Sequence, residues 1–391
     1  MLAGVRLRPA KRMQEIPPSS TFKVLSFAKE LERQGKDIVH MEVGEPDFDT
    51  PAHIKRAAEE ALARGMTKYT SSAGLPELRE AIAEHLATKD ISTDAKNVIV
   101  TPGAKHAIFC ALAATLDSGD EVIIPSPCWT YEAMVRIVGG KPVFIESKQS
   151  DEFKVKVEQV QEALTDNTRM ILLNYPNNPT GAVMQQKDLQ PIIDLAIDHE
   201  LWVLSDDIYD CLVYEGKHVS VMSLPNTAER TIYINGFSKA YAMTGWRLGY
   251  AVAPVELIAE INKIQQASTT CAAGFVQAAG VAALCGPQDC VREMRDEYRK
   301  RRDAIVKGLN SIDGFECTKP AGAFYVFPSI KKPGVSSLDF CEFLLRGAGV
   351  AAVPGSGFGP YGEGHVRFSY ATSIRNIQRA INRIDDAFAR H

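Results

Sequence analysis

The chain has 391 residues, of which 45% are hydrophobic and 24% charged, and its formal net charge at pH 7 is −4. This composition is typical of a globular enzyme and excludes a disordered chain; the small charge and the lack of a long basic tract argue against a nucleic-acid partner. No apolar run is long enough to cross a bilayer, so we expect no membrane partner.

The N-terminal segment, residues 1–12, carries four basic residues but lacks the apolar stretch of a secretion signal. We favour a mobile arm over an organelle-targeting segment. The eight cysteines form no C-x-x-C pair and no cluster with histidine at zinc spacing, so we expect no metal site. Unpaired thiols in a chain of this length indicate the reducing cytoplasm.

The middle of the chain alternates apolar runs with stretches of helical period. The apolar runs are short, mostly unbroken and bounded by turns, as buried parallel strands are. They lie at Val98–Thr101, Glu121–Pro125, Lys141–Ile145, Met170–Asn174, Trp202–Asp206, Thr231–Gly236 and Gly249–Ala253. The helical stretches between them include Ala104–Leu116, Lys187–His199 and Val255–Gln266. We therefore predict an α/β fold with a mainly parallel seven-stranded sheet between helices.

The two ends of the chain differ from this middle. A first strand is predicted at Ile38–Glu42, and the C-terminal third contains helices at Asp289–Leu309 and Ser373–Ala389 with short strands around Ala323–Phe327 and Gly364–Ser369. This pattern predicts a smaller α+β domain. We place the arm and part of that domain at residues 1–49, the large domain at 50–285 and the small C-terminal domain at 286–391.

A lysine, Lys239, follows the strand at Thr231–Gly236 in a loop of small residues, and Arg247 comes eight residues later. Burial at the end of a strand lowers the pKa of a lysine and supplies the neutral amine that attacks aldehydes. Arg247 adds a positive charge that lowers this pKa further and suits a phosphate. For a lysine taken alone, an exposed loop position is the simpler interpretation.

Other strand ends carry polar groups. Thr101-Pro-Gly-Ala-Lys105 closes a strand and opens a helix, where free N–H groups favour a dianion. Asp206 ends a strand at the edge where α/β sheets bind ligands, although a helix N-cap is the alternative. The segment Gly355–Gly359 resembles a nucleotide loop only in spacing; because it follows Pro354, we predict a plain loop and no dinucleotide site.

The segment SKAYAMTGWRLGY, residues 238–250, resembles the cofactor-lysine signature of class I/II aminotransferases, which are fold-type I enzymes that use pyridoxal 5′-phosphate. The resemblance is closest to the bacterial and archaeal aspartate aminotransferase branch. It extends from GEPDFDTP at residues 44–51 to RFSYATS at residues 367–373. It implies a large domain that binds pyridoxal 5′-phosphate and a homodimer with shared active sites.

The resemblance also implies a role for each matching residue. Lys239 is the catalytic residue and the covalent attachment point of the cofactor. Asp206 keeps the pyridine nitrogen protonated, so that the ring accepts electrons. The full set implied to bind the cofactor is Tyr69, Gly103, Ala104, Lys105, Trp129, Asn178, Asp206, Tyr209, Lys239 and Arg247.

Within that set, the turn at Gly103, Ala104 and Lys105 is implied to cradle the phosphate with its backbone, because Ala104 lacks the hydroxyl that many relatives supply. Trp129 is implied to stack on the ring, and Tyr69 to reach the phosphate of the neighbouring subunit.

The substrate set implied by the resemblance is Gly44, Trp129, Asn178 and Arg367. Arg367, placed just after the strand residues 364–366, would form a bidentate pair with the substrate α-carboxylate. The resemblance implies ping-pong transfer of an amino group between an L-amino acid and 2-oxoglutarate, and among amino acids it favours aspartate.

The sequence identifies no cationic partner for a side-chain carboxylate, because Pro17-Pro18 occupies the stretch where some relatives carry a lysine. Aromatic amino acids and alanine therefore stay open as substrates. A β-lyase or a cyclopropane-forming synthase would use the same cofactor. A cofactor-binding regulator without enzyme activity is disfavoured because no DNA-binding segment is added to the chain.

Overall fold

The computed structural model describes residues 8–18, 20–331 and 334–390. Most of the predicted N-terminal arm, residues 1–7, lies outside the described residues. The part of the arm that follows contains one turn of 3-10 helix at Lys11–Gln14. Among the helices that the structure describes, none is long and apolar enough to cross a membrane.

A seven-stranded sheet forms the centre of the fold. Its strands are β2 (Val98–Thr101), β3 (Glu121–Ser126), β4 (Lys141–Glu146), β5 (Thr168–Leu173), β6 (Trp202–Asp206), β7 (Thr231–Gly236) and β8 (Gly249–Val252). They lie in the order β2-β8-β7-β6-β5-β3-β4. Strand β8 runs antiparallel to both of its neighbours, and the other neighbouring pairs run parallel. The predicted fold class, a mainly parallel seven-stranded sheet between helices, is confirmed.

Alternating side chains of these strands pack into separate cores on opposite faces of the sheet, as the pleat of a strand requires. In β3, Val122 and Ile124 pack in one cluster with residues of the helix that follows β2, whereas Ile123 packs in another. The helices of this part are α2 (Ala52–Ala63), α3 (Pro76–Ala87), α4 (Ala104–Thr115), α5 (Tyr131–Ile137), α6 (Val157–Glu162), α7 (Gln186–Asp198), α8 (Val255–Ser268) and α9 (Gly274–Cys285).

The remaining elements come from the two ends of the chain. They are α1 (Ser20–Arg33), β1 (Val39–His40), α10 (Asp289–Asn310), β9 (Phe315–Glu316), β10 (Tyr325–Val326), β11 (Ser329–Ile330), α11 (Ser337–Phe343), β12 (Val350–Ala351), β13 (Val353–Pro354), β14 (Val366–Ser369) and α12 (Ile374–Ala389), with a π-helical turn at Leu344–Ala348. Strand β1 pairs in parallel with β12, and β10-β14-β13 form an antiparallel sheet. The N-terminal segment thus packs with the C-terminal third, while the domain boundaries themselves stay a prediction.

Three predictions in this region need correction. The strand predicted at Ala323–Phe327 is shorter because Ala323 has a left-handed φ of 55°, which interrupts extended backbone. The strand predicted from Gly364 begins only at Val366, since Gly364 has a φ of 80°. The segment predicted as a plain loop contains a 3-10 turn at Gly355–Phe358.

Candidate active site

Lys239 lies directly after β7, at the carboxyl edge of the central sheet. Its Nζ donates a hydrogen bond of 2.6 Å to the carbonyl oxygen of Gly44. Burial lowers the pKa of Lys239 to about 8; Glu45 opposes this shift and Arg367 adds to it. The amine is therefore partly neutral near physiological pH, as a nucleophile toward an aldehyde must be.

Gly44 allows the close approach of a tyrosine that the sequence did not single out. A Cβ atom on Gly44 would lie only 2.0 Å from the hydroxyl oxygen of Tyr325. The Tyr325 hydroxyl in turn shares a 2.8 Å hydrogen bond with that of Tyr209. A glycine at position 44 thus lets two buried phenols stand beside the lysine. The apolar run around Tyr325 signalled a strand and gave no sign of this contact.

Asp206 is a buried carboxylate at the end of β6. Its Oδ2 accepts a 2.6 Å hydrogen bond from the Tyr131 hydroxyl, and its Oδ1 accepts one of 3.3 Å from the Ile208 amide. Burial raises the pKa of Asp206 to about 6, against the hydrogen bonds from Tyr131 and Ile208, which lower it. Asp206 is consequently ionised at neutral pH and suited to hold a protonated ring nitrogen. The sequence analysis missed Tyr131, although it lies two residues after Trp129.

The neighbouring aspartate, Asp207, is already paired. It contacts His218 at 2.8 Å and accepts a 2.5 Å hydrogen bond from Ser205. Both partners engage its two carboxylate oxygens. Asp207 thus has a histidine partner, whereas the hydrogen bonds to Asp206 come from a hydroxyl and a backbone amide.

The turn between β2 and α4 forms a cradle of backbone N–H groups. Gly103 has a φ of 88°, and a Cβ atom there would lie 2.4 Å from Nη2 of Arg247. A Cβ atom on Gly249 would lie 2.3 Å from the amide nitrogen of Ala104. Two glycines therefore bring a guanidinium against a helix N-terminus, an arrangement that fits a phosphate. Lys105 is the second residue of α4 and therefore lies in its first turn.

Trp129 and Lys105 are neighbours beside this cradle. The Lys105 ammonium lies 4.5 Å from the centroid of the Trp129 ring, and the same ring meets Tyr131 edge to face at 5.3 Å. Burial and then Arg247 lower the pKa of Lys105. Among the residues that the structure describes, no carboxylate pairs with this ammonium. The sequence predicts a role only for the backbone of Lys105, whereas the structure places its side chain over Trp129.

Arg367 is buried inside β14, within the strand predicted at Gly364–Ser369 and not after strand residues 364–366. Its Nη1 donates to Oδ1 of Asn178 at 3.1 Å, and its Nη2 donates to the carbonyl oxygen of Glu42. The guanidinium also stacks over the rings of Tyr325 and Phe358 at 4.6 and 4.9 Å. These contacts fix its orientation without neutralising it, which leaves its charge available for a carboxylate.

The structure brings most of the predicted site residues together and leaves one apart. Lys239, Gly44, Tyr209, Asn178 and Arg367 are linked through the contacts described above, and Asp206 and Arg247 act on the pKa of the lysine. Tyr69 does not join them, because its side chain is 86% exposed on the surface. No cluster of metal-ligating side chains occurs within residues 8–18, 20–331 and 334–390.

Comparisons with known proteins show the family of this chain. The family model described as aminotransferase class I and II matches residues 36–384. An aspartate aminotransferase from Rhizobium meliloti is 44% identical over 96% of this chain and 95% of its own. An aromatic-amino-acid aminotransferase from Thermococcus litoralis is 43% identical over 96% of both chains. The structure of a Thermus thermophilus aspartate aminotransferase with maleate has a TM-score of 0.93 at 42% identity, covering 97% of this chain and 100% of that one.

The Tyr131–Asp206 hydrogen bond yields a first prediction. Tyr131→Phe should raise the pKa of Asp206 above about 6 and weaken the binding of pyridoxal 5′-phosphate to the apoenzyme at pH 7 by about tenfold, the worth of one hydrogen bond to a charged group. Fluorescence titration of the apoenzyme measures this. Tyr370→Phe, which removes a 3.1 Å hydrogen bond to the carbonyl of Ala323, is the control and should bind normally. Equal affinity in the Tyr131 variant would refute the role.

A second prediction concerns Lys239 in the apoenzyme. With a pKa of about 8, the neutral fraction of its amine should rise roughly tenfold between pH 7 and pH 9 and then level off. The rate of covalent attachment of pyridoxal 5′-phosphate, followed by absorbance, should show this plateau. N-α-acetyllysine is the reference, and its rate should keep increasing. A protein rate that also increases steadily to pH 10 would contradict the lowered pKa.

Proposed function

This chain belongs to the class I and II aminotransferase family and is an aspartate aminotransferase-like aminotransferase, and from that premise we propose that it moves an amino group between L-aspartate and 2-oxoglutarate by a ping-pong mechanism. The family depends on pyridoxal 5′-phosphate. The residues proposed to hold this cofactor are Lys239, Asp206, Tyr209, Asn178, Arg247 and Trp129, with the backbone of residues 103–105 and Tyr69 of a second subunit.

Pyridoxal 5′-phosphate, when bound, supplies an aldehyde that takes up the amino group and a ring that accepts electrons from the substrate Cα. Arg247 and the N–H groups at the start of α4 hold a phosphate. Asp206, ionised above about pH 6, keeps a proton on the ring nitrogen. The buried rings of Tyr209 and Phe324, 5.9 and 5.7 Å from Nζ of Lys239, exclude water from the lysine.

Lys239 is proposed as the general base that moves the Cα proton. Its pKa of about 8 makes the free amine a base matched to neutral pH. Its Nζ lies near the carbonyl of Gly44 and within 5.9 Å of the Tyr209 ring, so its reach is restricted to one side of the site. Arg367 would orient the α-carboxylate so that the Cα–H bond faces this amine.

The observation that favours a dicarboxylic substrate is the unpaired ammonium of Lys105. Arg367 accounts for one substrate carboxylate, and an amino acid with a second carboxylate needs a second cation. Lys105 lies over Trp129, which the site shares between cofactor and substrate. We therefore propose Lys105 as the partner of the side-chain carboxylate, the residue that sequence reasoning did not find.

An aromatic substrate is the second candidate, and one observation favours it. A cavity of about 460 Å³ adjoins Trp129 and is lined in part by Pro17, Pro18, Phe144 and Gly359. This volume exceeds that of an aspartate side chain, and the apolar part of its lining suits a ring, while Glu132 and Glu363 supply a polar part. Alanine as substrate and a β-lyase reaction stay as further alternatives.

We also propose that the enzyme is a homodimer in the cytoplasm. The 86% exposure of Tyr69 supports the dimer, because the family likeness assigns this tyrosine to a neighbouring active site. All eight cysteines are free thiols, which supports a reducing compartment. Small-molecule amino acids and 2-oxo acids are the other partners.

A panel of amino acids tests the reaction. We expect aspartate to convert the bound cofactor stoichiometrically to its amino form in a single turnover, and 2-oxoglutarate to reverse the change. Lys239→Ala should abolish turnover, because no other buried amine stands at this position. Release of pyruvate and ammonia without an oxo-acid acceptor would favour the lyase, and a higher kcat/KM for phenylalanine than for aspartate would favour the aromatic reading.

Lys105→Met tests the substrate assignment separately. The change keeps the backbone and the apolar stem but removes one charged hydrogen-bond donor, whose worth of about 1.5–3 kcal/mol predicts a loss of about 10- to 100-fold in kcat/KM for aspartate. Activity with alanine should change by less than about threefold, since alanine has no second carboxylate. Lys263→Met, on the exposed face of α8, is the matched control. Equal losses for both substrates would refute the assignment.

A further inference from the structure

His40, the last residue of β1, connects two carboxylates that belong to different elements. Its Nδ1 lies 2.7 Å from Oε1 of Glu42, and its Nε2 lies 3.0 Å from Oε1 of Glu32 on α1. The Glu42 side chain is fully buried, whereas the side chains of His40 and Glu32 are 33% and 42% exposed. A chain of charged groups therefore leads from the surface of α1 to a buried carboxylate.

Glu42 is also next to the arginine proposed to bind the substrate. Arg367 donates a hydrogen bond to the carbonyl oxygen of Glu42, and the amide of Ser369 donates one of 2.7 Å to the carbonyl of Met41. Burial lowers the pKa of Arg367, while Tyr325, Tyr209 and the Glu42 carboxylate raise it. The carboxylate of Glu42 thus acts electrostatically on the guanidinium without a direct ion pair among the described residues.

Glu42 and Arg367 each have one buried polar atom without a hydrogen-bond partner among the described residues. These atoms are Oε2 of Glu42 and Nε of Arg367. A buried carboxylate without neutralisation would draw on the nearest cation, and here that cation is Arg367 or His40. Which of the two neutralises Glu42 decides how much positive charge Arg367 presents to a ligand.

We propose that Glu32, His40 and Glu42 form a positioning network for Arg367, in which the His40 cation neutralises Glu42 and so keeps the charge of Arg367 available for the substrate carboxylate. This proposal rests on the proposed function, because it takes Arg367 as the carboxylate site. It makes His40 and Glu42 positioning residues, since neither touches the substrate itself. It also links the N-terminal helix to substrate affinity.

Among the residues that the structure describes, Glu42 and Glu32 are the side chains that contact the His40 ring nitrogens. On its own strand the charged neighbour is Glu42, and α1 contributes Glu32. Strand β12 places Ala351 opposite His40 in register. From α12, Arg379 and Arg383 approach the same segment, but they pair with Asp37 at 3.6 and 2.5 Å. On β14, Arg367 contacts the backbone carbonyl of Glu42.

The protonation state of His40 follows from these neighbours. The hydrogen bond to Glu42 raises the pKa of His40 to about 9, against burial, with a smaller contribution from Glu32. His40 is therefore a cation below about pH 9 and neutral above it. On this basis, carboxylate binding at Arg367 is strongest below pH 9 and weakens as His40 loses its proton.

The test uses the holoenzyme and maleate, a dicarboxylate without an amino group, with Kd measured by calorimetry at pH 7.5. His40→Asn keeps a short donor for Glu42 and removes the charge. We expect its Kd to rise about fivefold, and the double variant His40→Asn/Glu42→Gln to return within about twofold of the unsubstituted enzyme, because the carboxylate to be neutralised is gone. Glu30→Gln, an exposed carboxylate of the same helix that pairs with Arg33 and stands outside the network, is the control and should change Kd by less than about twofold.

Two results would overturn the proposal. One is an unchanged Kd in His40→Asn. The other is a double variant that binds as weakly as the single one, which would mean that His40 acts only through packing. The Kd of the unsubstituted enzyme should also increase above about pH 9, and a Kd without this step would count equally against it.

A second measurement does not depend on the proposed function. In the apoenzyme labelled with ¹³C-histidine, the NMR titration midpoint of His40 should lie at about 9 and should fall toward 6.5 in Glu42→Gln. An equal His40 midpoint in the unsubstituted protein and in Glu42→Gln would refute the network, independently of the reaction that the enzyme catalyses. Conversely, no turnover with any amino acid, combined with the expected NMR result, would reject the proposed function and leave the network intact.

Discussion

The desolvation of one lysine amine is the constraint on which the rest of the site depends. Lys239 stands where β7 ends, and burial there is the largest influence on its lowered pKa. An amine in that position has to be surrounded by groups that tolerate it in both protonation states. A backbone carbonyl and aromatic rings do this: Nζ donates to the carbonyl of Gly44 and lies 5.9 and 5.7 Å from the centroids of the Tyr209 and Phe324 rings. Four charged groups also act on its pKa: Glu45 and Asp206 raise it, and Arg367 and Arg247 lower it.

Much of this arrangement could be predicted from local sequence. The strands of the central sheet are continuous apolar runs, and parallel strands place their carboxyl ends on one edge, so Lys239 and Asp206 were expected together. Residues identified by motif, such as Arg247, were likewise found beside the expected turn. The predicted ends of the short strands near Ala323 and Gly364 were wrong. Left-handed backbone at these single residues ends the strands, and the pattern of apolar residues contains no information about backbone φ.

The contacts that local sequence could not predict all join residues far apart in the chain. Tyr131 reaches Asp206 across 75 positions, and Arg367 reaches the carbonyl of Glu42 across 325. Each hydrogen bond depends on the tertiary packing of segments that are distant in the chain. Periodicity and motif spacing are local and therefore cannot predict it. The side chain of Lys105 is a related case, because its position in a helical turn was predicted and its direction toward Trp129 was not.

The two cations proposed to meet the substrate differ in how firmly they are held, and that difference has a consequence. Arg367 is buried in β14 and clamped by Asn178, Tyr325 and Phe358, so it suits the α-carboxylate that every amino acid carries. Lys105 projects from the first turn of α4 on a flexible stem, its ammonium lies 4.5 Å from the centroid of the Trp129 ring, and it is proposed to meet the variable side chain. A different substrate side chain near Lys105 therefore requires no change at Lys239, which is proposed to transfer the proton. This division of roles would allow related proteins to differ in substrate. The relatives of this chain include proteins named for aspartate and for aromatic amino acids.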